Sequence, residues 1–508
     1  MSSVDSTKSA DLKVRVEDVE SKEQTPLDAH YDLARMIDWR MLPLLGLLYS
    51  VALIDRTNLG IARTAGMEED LRLDIGERYS LASMIYFIPY TLLQIPGNII
   101  LRWLGARTWL TICVVGWGFA QLGMAFVTTW GYLSLCRVFL GVFESGFFPS
   151  LVFIITTWYK RYEVQKRLAI FYLSSILVGS FSSLLAYGIT FLKGKADLNG
   201  WQWIFLLEGI FTVLLGILSW LFIPDFPDKA TFLNDTQRKV STLLLSHETI
   251  VYPVFQMILD RVEADRGDSI PDAMTWAKLF KHLRDPLLWA FGASILHIYV
   301  GKLLTLSLAA LMFLASTVPA YAIVFFVTII LRGMGYTEAL ALLLTAPPGV
   351  FAAAVCFFFA WLADRTRHRA LWLFVENLIC ITGLAIAAYS KNDPVRYFGL
   401  FLVNAGATSA IPGVLAYSAN NITSHTKRSV QTATIIASGG IGGIFATTVF
   451  RQKDYPRYVN GLWATMGLQI LMLFILGITT LVFRRRNRLR REGKIGPLEG
   501  QPAFYYTL

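Results

Sequence analysis

Residues 137–149 read RVFLGVFESGFFP, and they lie inside an apolar run from about Tyr132 to Trp158. That run is long enough to cross a membrane, which takes roughly 20 apolar residues. Arg137 and Glu144 are seven residues apart, close to two helical turns, so both side chains point to one face of the helix. Because an ionised group facing lipid is costly, this face must look into a bundle interior or a wet cavity.

A second acid–base pair, Asp55-Arg56, interrupts the first apolar run in ALIDRTNLGIA. Ionisable residues within membrane spans are rare and mark ion or substrate pathways. Two acids and two arginines at membrane depth therefore indicate a proton-linked site for an anion.

The composition points to a multi-pass membrane protein. Of 508 residues, 55% are hydrophobic and 16% are charged, whereas a soluble protein carries about 25% charged residues. The net charge of +10 comes from basic residues at the ends of apolar runs, which favours a positive cytoplasmic face over nucleic-acid binding. The four cysteines lack metal-ligand spacing, so we expect buried thiols, no metal and no cofactor.

Apolar runs of spanning length form two sets of six, separated by a long polar stretch. Such an arrangement fits a transporter built from two similar bundles around a site at the membrane midplane. The runs are 42–62, 79–101, 108–128, 132–158, 168–192 and 203–223, then 310–331, 340–363, 370–389, 395–417, 430–450 and 462–483.

Lys and Arg residues are enriched in the loops and the tail that face inward if the N-terminus is cytoplasmic, so we expect both termini in the cytoplasm. The predicted organisation has six parts: a disordered cytoplasmic N-terminus (1–40), an N-terminal six-helix bundle (41–224), a cytoplasmic central loop (225–286), a surplus apolar segment (287–309), a C-terminal six-helix bundle (310–484) and a basic cytoplasmic tail (485–508).

We predict a surplus segment because the apolar stretch 287–331 contains a single charge, Lys302. As a helix this stretch is about twice the thickness of the hydrocarbon core. Two spans here would reverse the topology of everything that follows. We therefore take 310–331 as the seventh span, and 287–309 either lies along the interface or reflects a retained intron. We favour the intron as a hypothesis that transcript sequencing decides.

Motifs along the chain resemble those of the major facilitator superfamily and, within it, the fungal allantoate-permease group of anion:cation symporters. The likeness covers about 36–485, apart from the surplus segment. The resemblance implies an all-α integral membrane fold of 12 transmembrane helices in two six-helix bundles. The motifs that carry it are IDRTNLGIART, YTLLQIPGN, RVFLGVFESGFFP, VPAYA, WLADRTRHR and SHTKRSVQTAT.

The same resemblance implies that Asp55 and Glu144 carry protons and that Arg56 and Arg137 meet a substrate carboxylate. The chemistry agrees, because arginine stays charged and offers a planar fork to a carboxylate. A carboxylic acid in a poorly solvated cavity also takes up a proton more readily than in water. The alternatives are structural: Glu144 in a salt bridge to a neighbouring arginine, and Arg137 as the partner of Glu144. Asp55 and Arg56 are adjacent and point roughly 100° apart on a helix, so the alternative for this pair is that one faces the cavity and the other a neighbouring helix.

Three further polar residues fall near the predicted midplane. Tyr90 and Tyr321 place hydroxyl groups there, and Asn404 places an amide. Each is a candidate for substrate contact, with packing or a hydrogen bond between helices as the alternative. The glycines of 439–443 invite comparison with a phosphate loop, but their place in a span favours close helix packing.

The loop after the eighth span reads Asp364-Arg365-Thr366-Arg367-His368-Arg369 and matches the superfamily's gating-loop pattern. By that resemblance the Asp364 carboxylate pairs with arginines such as Arg365 and Arg369 and latches helices at the inner side. The equivalent loop of the first half has Arg102 where an aspartate is usual, and we assign it no latch role.

These features predict a monomeric, proton-driven importer in the plasma-membrane bilayer that moves a small organic anion by alternating access. The family's substrates are carboxylates such as allantoate, nicotinate and pantothenate. Export of a carboxylated secondary metabolite is the alternative with the same fold. A membrane enzyme using Asp55 and Glu144 and a signalling transceptor are alternatives of other classes.

Overall fold

The computed structural model describes residues 26–158, 161–223, 304–366, 368–421, 425–455, 457–496, 498 and 504–507, and within these every regular element is a helix. A π-helical turn (Arg63–Met67) and two 3-10 turns (Lys195–Asp197 and Gln452–Asp454) supplement eighteen α-helices. These are α1 Pro26–Ala62, α2 Glu68–Asp70, α3 Arg78–Met84, α4 Phe87–Leu92, α5 Gln94–Leu104, α6 Ala106–Met124, α7 Trp130–Ser145, α8 Phe147–Trp158, α9 Arg161–Ser180, α10 Ser182–Thr190, α11 Gly200–Phe222, α12 Leu304–Gly333, α13 Glu338–Leu343, α14 Ala346–Thr366, α15 Arg369–Tyr389, α16 Asp393–Asn420, α17 His425–Val449 and α18 Val459–Arg491.

Each predicted apolar run coincides with one of these helices or with several in succession. In the described part of the chain, nine helices are long and apolar enough to cross a membrane. The all-helical membrane fold is thus confirmed, while the number of twelve spans remains a prediction. The second span is divided into α3, α4 and α5, and Pro89 and Pro96 lie in the first turns of α4 and α5, where a missing N–H breaks no helical hydrogen bond.

The first helix begins earlier than the sequence indicated. Residues 26–40 were expected to be disordered, but α1 starts at Pro26 and runs unbroken into the first span. Proline is favoured in the first turn of a helix. The segment is also tied down, because Arg167 of α9 donates to both carboxylate oxygens of Asp38 at 2.6 and 2.8 Å. Residues 1–25 lie outside the described residues.

The seventh span is also longer than expected. Helix α12 begins at Leu304, so residues 304–309 are continuous with the helix of the seventh span, whose apolar part starts at Leu308. The run from Leu304 to Leu331 contains neither glycine nor charge, and the helix continues through its single proline, Pro319. The rest of the surplus segment (287–303) and the central loop (225–286) lie outside the described residues, so the intron hypothesis stays untested.

Part of the basic tail is helical and part folds back. Helix α18 continues to Arg491, beyond the predicted boundary at 485, since arginine and leucine are good helix formers. Residues 504–507 return to the bundle, where the Tyr506 ring stacks on Phe483 with 4.4 Å between centroids. Asn487 donates to the Tyr506 carbonyl at 2.8 Å and accepts from its N–H at 3.0 Å.

The glycine-rich stretch of α17 lets two helices pack against it, as predicted from the sequence. Added Cβ atoms at these glycines would overlap side chains of α12 on one side and of the second span on the other. Helix α17 of the second half thereby lies directly against α4 of the first. The opposed pairs are Gly439 with Phe313, Gly442 with Thr317, Gly440 with Thr91 and Gly443 with Phe87.

The two halves also meet where α1 ends. We call this the joined end. A Cβ on Gly60 would lie 3.1 Å from the Phe325 carbonyl oxygen, and the Tyr79 hydroxyl donates to that oxygen at 2.9 Å. Arg63 reaches across to Gln452 at 2.7 Å. The middle of α1 is consequently covered, on the side of the joined end, by contacts between the two halves.

Candidate functional site

Polar and charged side chains from both halves meet around the middle of α1. They come from the first, second, fourth and seventh spans, and all but Tyr321 are almost fully buried. We call this group the central cluster. Its members are Arg56, Tyr86, Tyr90, Arg137, Glu144 and Tyr321.

Arg56 and Glu144 form the ion pair of the central cluster. Arg56 Nη2 donates to Glu144 Oε1, and Arg56 Nη1 donates to the Tyr321 hydroxyl at 3.2 Å. The Tyr86 hydroxyl donates to the other Glu144 oxygen at 2.7 Å. Both oxygens of this buried carboxylate are thus bonded, which buried ion pairs require. The partner of Glu144 is the arginine of α1 rather than Arg137 of its own helix.

Among the described residues, Arg137 has no such partner. Its side chain is about 1% exposed, and within the described residues none of its three guanidinium nitrogens has a hydrogen-bond partner. Its guanidinium carbon lies 5.9 Å from the centre of the Tyr86 ring. Arginine does not lose its charge in proteins, and an uncompensated buried charge is strongly unfavourable, so the surroundings of Arg137 favour an added negative charge.

The sequence of α7 explains how these groups reach one place. Arg137, Leu140, Gly141 and Glu144 form its buried face, which is the spacing of one side of a helix. A Cβ at Gly141 would overlap the Tyr86 carbonyl oxygen. Glycine therefore lets the second span approach closely enough for Tyr86 to reach Glu144.

Asp55 does not join the central cluster, contrary to the expectation that it shares a chamber with Glu144. Its Oδ2 accepts hydrogen bonds from Trp117 of α6 at 3.0 Å and from Thr212 of α11 at 3.1 Å. Neighbouring residues on a helix point roughly 100° apart, so Arg56 faces the cluster while Asp55 faces the packed interior of the first half.

Of the remaining candidates, Tyr90 and Tyr321 belong to the central cluster, and Asn404 is bonded within its own helix. The Arg56 guanidinium carbon lies 5.3 Å from the centre of the Tyr90 ring and 5.9 Å from that of Tyr321, within cation–π range. Asn404 accepts from Thr408, one turn later in the same helix, at 3.1 Å. The role of Asn404, substrate contact or a hydrogen bond between helices, stays a prediction.

In the predicted gating loop, Arg369 donates to Asp364 at 2.6 Å and joins the end of α14 to the start of α15. Arg365 instead lies over the Trp361 ring, with 5.3 Å between Cζ and the ring centroid. Arg367 lies outside the described residues. The loop thus holds one of the ion pairs that the pattern predicts, within the second half.

The sequence analysis missed several buried groups, and Tyr86, Glu208 and Glu376 are the ones that its own rules could have found. Tyr86 lies four residues before Tyr90 and so shares its helix face. Glu208 and Glu376 are acids within predicted spans and are 6% and 4% exposed; the same rule that selected Glu144 would have selected them. Among the residues that the structure describes, no three His, Cys, Asp or Glu side chains group as metal ligands do.

Comparison with known proteins places the chain among transporters. Residues 45–447 match the family model described as Major Facilitator Superfamily. The chain is 28% identical over 467 residues to the MFS-type transporter cnsO of Penicillium expansum, covering 91% of this chain and 85% of that protein. It is 29% identical to the major facilitator-type transporter hxnP of Emericella nidulans, covering 92% and 88%.

Solved structures show the same fold. The proton:xylose symporter XylE bound to 6-bromo-6-deoxy-D-glucose superposes with a TM-score of 0.61 at 14% identity, covering 86% of this chain and 95% of that one. A bacterial homologue of the human lysosomal transporter Spinster, in an inward-facing conformation, gives 0.56 at 18% identity, covering 86% and 94%. With the family match over most of its length, this multi-pass membrane protein belongs to the Major Facilitator Superfamily of transporters.

Proposed function

We propose that the protein is a secondary active transporter that couples proton movement to uptake of a small organic anion, a carboxylate, across the plasma membrane. The observation that carries the proposal is the unpaired, buried guanidinium of Arg137 beside the Arg56–Glu144 ion pair. Two arginines and one glutamate leave one positive charge in excess. A carboxylate bound there compensates that charge and accepts a bidentate hydrogen bond from the fork.

The body of the substrate packs against aromatic rings. Tyr86, Tyr90 and Tyr321 surround the arginines, and such rings offer apolar faces together with hydroxyl groups that hydrogen-bond. A flat or compact carboxylate of the allantoate, nicotinate or pantothenate kind suits this combination.

Glu144 supplies one route for proton coupling. The ionised carboxylate occupies Arg56 and competes with the substrate for it. Protonation of Glu144 weakens the ion pair and frees the Arg56 fork, so proton and anion favour each other's binding. This linkage is reciprocal, as any coupling free energy is. Asp55 is the second proposed proton carrier.

Transport then proceeds by alternating access of the two halves around the central cluster. The joined end closes one approach to the cluster, and the Asp364–Arg369 pair is proposed to latch helices at the cytoplasmic side, where both termini lie. The shared fold with a proton:xylose symporter is compatible with proton coupling. We propose that one monomer is the functional unit.

The test is uptake of labelled allantoate, nicotinate and pantothenate by cells that express the protein, in acidic and in near-neutral medium, with and without an uncoupler. Accumulation of at least one carboxylate, higher in acid and abolished by the uncoupler, is expected. Cells expressing Arg137→Leu are the matched control and should match cells without the protein. Movement of a carboxylate that is indifferent to pH and to the uncoupler would contradict the proposal.

A further inference from the structure

The first half contains a second group of buried polar side chains, separate from the central cluster. Asn58, Gln121 and Glu208 come from α1, α6 and α11 and are at most 6% exposed. None of their side-chain nitrogen and oxygen atoms has a hydrogen-bond partner within the described part of the chain. We call these three residues the polar layer.

The polar layer lies one helical turn beyond the hydrogen bonds of Asp55. Asn58 follows Asp55 by three residues, Gln121 follows Trp117 by four, and Glu208 precedes Thr212 by four. Each member therefore shares a helix face with a group in the Asp55 contact.

The helix directions place these turns on the same side. A Cβ on Gly118 would meet Thr212 and Val213, and one on Gly209 would meet Leu122, so α6 and α11 run antiparallel. Trp201, at the start of α11, donates to Asp70 at 2.6 Å, beyond the end of α1. Helix α11 is thus antiparallel to α1 as well, and all three polar residues lie toward the joined end from Asp55.

Neither acid of this region forms an ion pair within the part of the chain that the structure describes. Within the described residues, one Asp55 oxygen and both Glu208 oxygens are buried without a hydrogen-bond partner, and Glu208 lies one turn of α11 from Thr212, which donates to Asp55. Arg137 and Glu144 of α7 interact electrostatically with Asp55. On α6, Cys113 is a buried thiol one helical turn before Trp117. Two carboxylates close together in a poorly solvated site do not both ionise.

We propose that Asp55 and Glu208, flanked by the Asn58 and Gln121 amides, form a cation site for protons that controls anion binding at Arg137. The inference rests on the proposed function and adds a site to it. One shared proton leaves one negative charge on the pair, which balances the unpaired charge of Arg137. A second proton removes that balance, and Arg137 then attracts an anion. The protons come from bulk solution, and no covalent bond changes.

The proposal gives Glu208 a role distinct from that of Glu144. Glu144 blocks or frees Arg56 by direct contact, whereas Glu208 acts on Arg137 only through charge. Glu208→Gln combined with Asp55→Asn imitates the fully protonated pair, because both carboxyl groups are then replaced by neutral amides. It should still bind and exchange carboxylate, with an affinity that no longer varies with pH, and its uphill accumulation should fall by about tenfold or more, the usual scale of such coupling.

The experiment uses the full chain with protons as the probe, together with labelled nicotinate, allantoate and pantothenate. The infrared difference spectrum of the purified protein between near-neutral and acidic buffer should show a carboxyl C=O band that Glu208→Gln and Asp55→Asn both remove. Glu376→Gln, an equally buried acid of the second half, is the matched control and should leave that band in place.

The two proposals fail in different ways. If no carboxylate is transported, the proposed function fails, while the infrared band still decides whether Asp55 and Glu208 share a proton. If wild-type uptake is proton-driven but Glu208→Gln retains both the infrared band and the pH profile, this inference is overturned and the proposed function stands. Uptake driven by Na⁺ and independent of pH overturns it too. If Glu208→Gln does not assemble, Glu208→Asp serves: a shifted pH midpoint supports the pair, and an unshifted one overturns it.

Discussion

Arg56 of the first span is ion-paired with Glu144 of the fourth, and its neighbour in sequence, Asp55, is bonded to Trp117 and Thr212 instead. The side chains of two adjacent ionisable residues thus point into two different environments. One faces the boundary between the halves, where Tyr321 of the second half also contributes. The other faces the interior of the first half. The division separates a site rich in arginine from a site rich in acids.

Glu144→Gln should uncouple transport without abolishing binding. The neutral amide no longer holds Arg56 as a carboxylate does, so the fork stays available to the substrate at every pH. We expect uphill accumulation of labelled carboxylate to be lost and exchange of internal for external substrate to remain. The measurements are net uptake and counterflow in reconstituted vesicles. Unchanged uphill uptake would remove Glu144 from the coupling mechanism.

Arg137→Leu should stabilise the protein while it abolishes carboxylate binding. The substitution removes a buried charge that has no partner in the described structure, so we expect a gain of about 1 kcal/mol or more. Residues kept for function at the expense of stability behave in this way. Thermal unfolding of the purified protein measures the first effect, and binding of labelled carboxylate measures the second.

Arg56→Leu is the matched comparison for that experiment. It removes the same charge but leaves Glu144 buried without its cation, and breaking a buried pair in this way costs about 3–5 kcal/mol. The two variants should therefore move the unfolding midpoint in opposite directions. Equal destabilisation by both would show that Arg137 has a structural partner.

Gly443→Ala should weaken the contact between the halves. A Cβ at this position would fall on the Phe87 ring, and overpacking of this kind costs about 1–3 kcal/mol. Gly477→Ala is the control, because nothing lies within 4 Å of the added atom. Thermal unfolding and transport rate should both change for Gly443→Ala alone. Equal behaviour of the two variants would contradict the packing that we describe for α17.

The sequence was sufficient for the fold and for most of the central cluster, because both follow from local rules. Apolar runs predict spans, and a spacing of seven puts Arg137 and Glu144 on one buried face of α7. Tertiary partners do not follow from such rules. The pairing of Glu144 with Arg56, 88 residues away, depends on how α1 and α7 are oriented in the bundle. The direction of the Asp55 side chain depends on the same orientation.

Gln452→Ala should loosen the joined end. Arg63 is buried there, 2.5 Å from Glu68 within its own half and 2.7 Å from Gln452 in the other half. Its guanidinium also lies 4.1 Å from the Tyr79 ring. A hydrogen bond to a charged group contributes about 1.5–3 kcal/mol, so its loss should increase opening of this end by roughly tenfold or more. Arg451→Ala is the matched control, since it breaks an ion pair to Asp454 that lies entirely within the second half.

Opening can be followed at Ser80, which is buried at the joined end with its hydroxyl directed at the Phe450 carbonyl across the boundary. In a Ser80→Cys protein whose half-buried Cys136 is replaced by serine, a membrane-impermeant thiol reagent reacts only when this end opens. The labelling rate should rise with Gln452→Ala and stay unchanged with Arg451→Ala. If both variants label at the parent rate, the Arg63–Gln452 bond does not hold the halves together, and closure there rests on the contacts of Gly60 and Tyr79 with the Phe325 backbone.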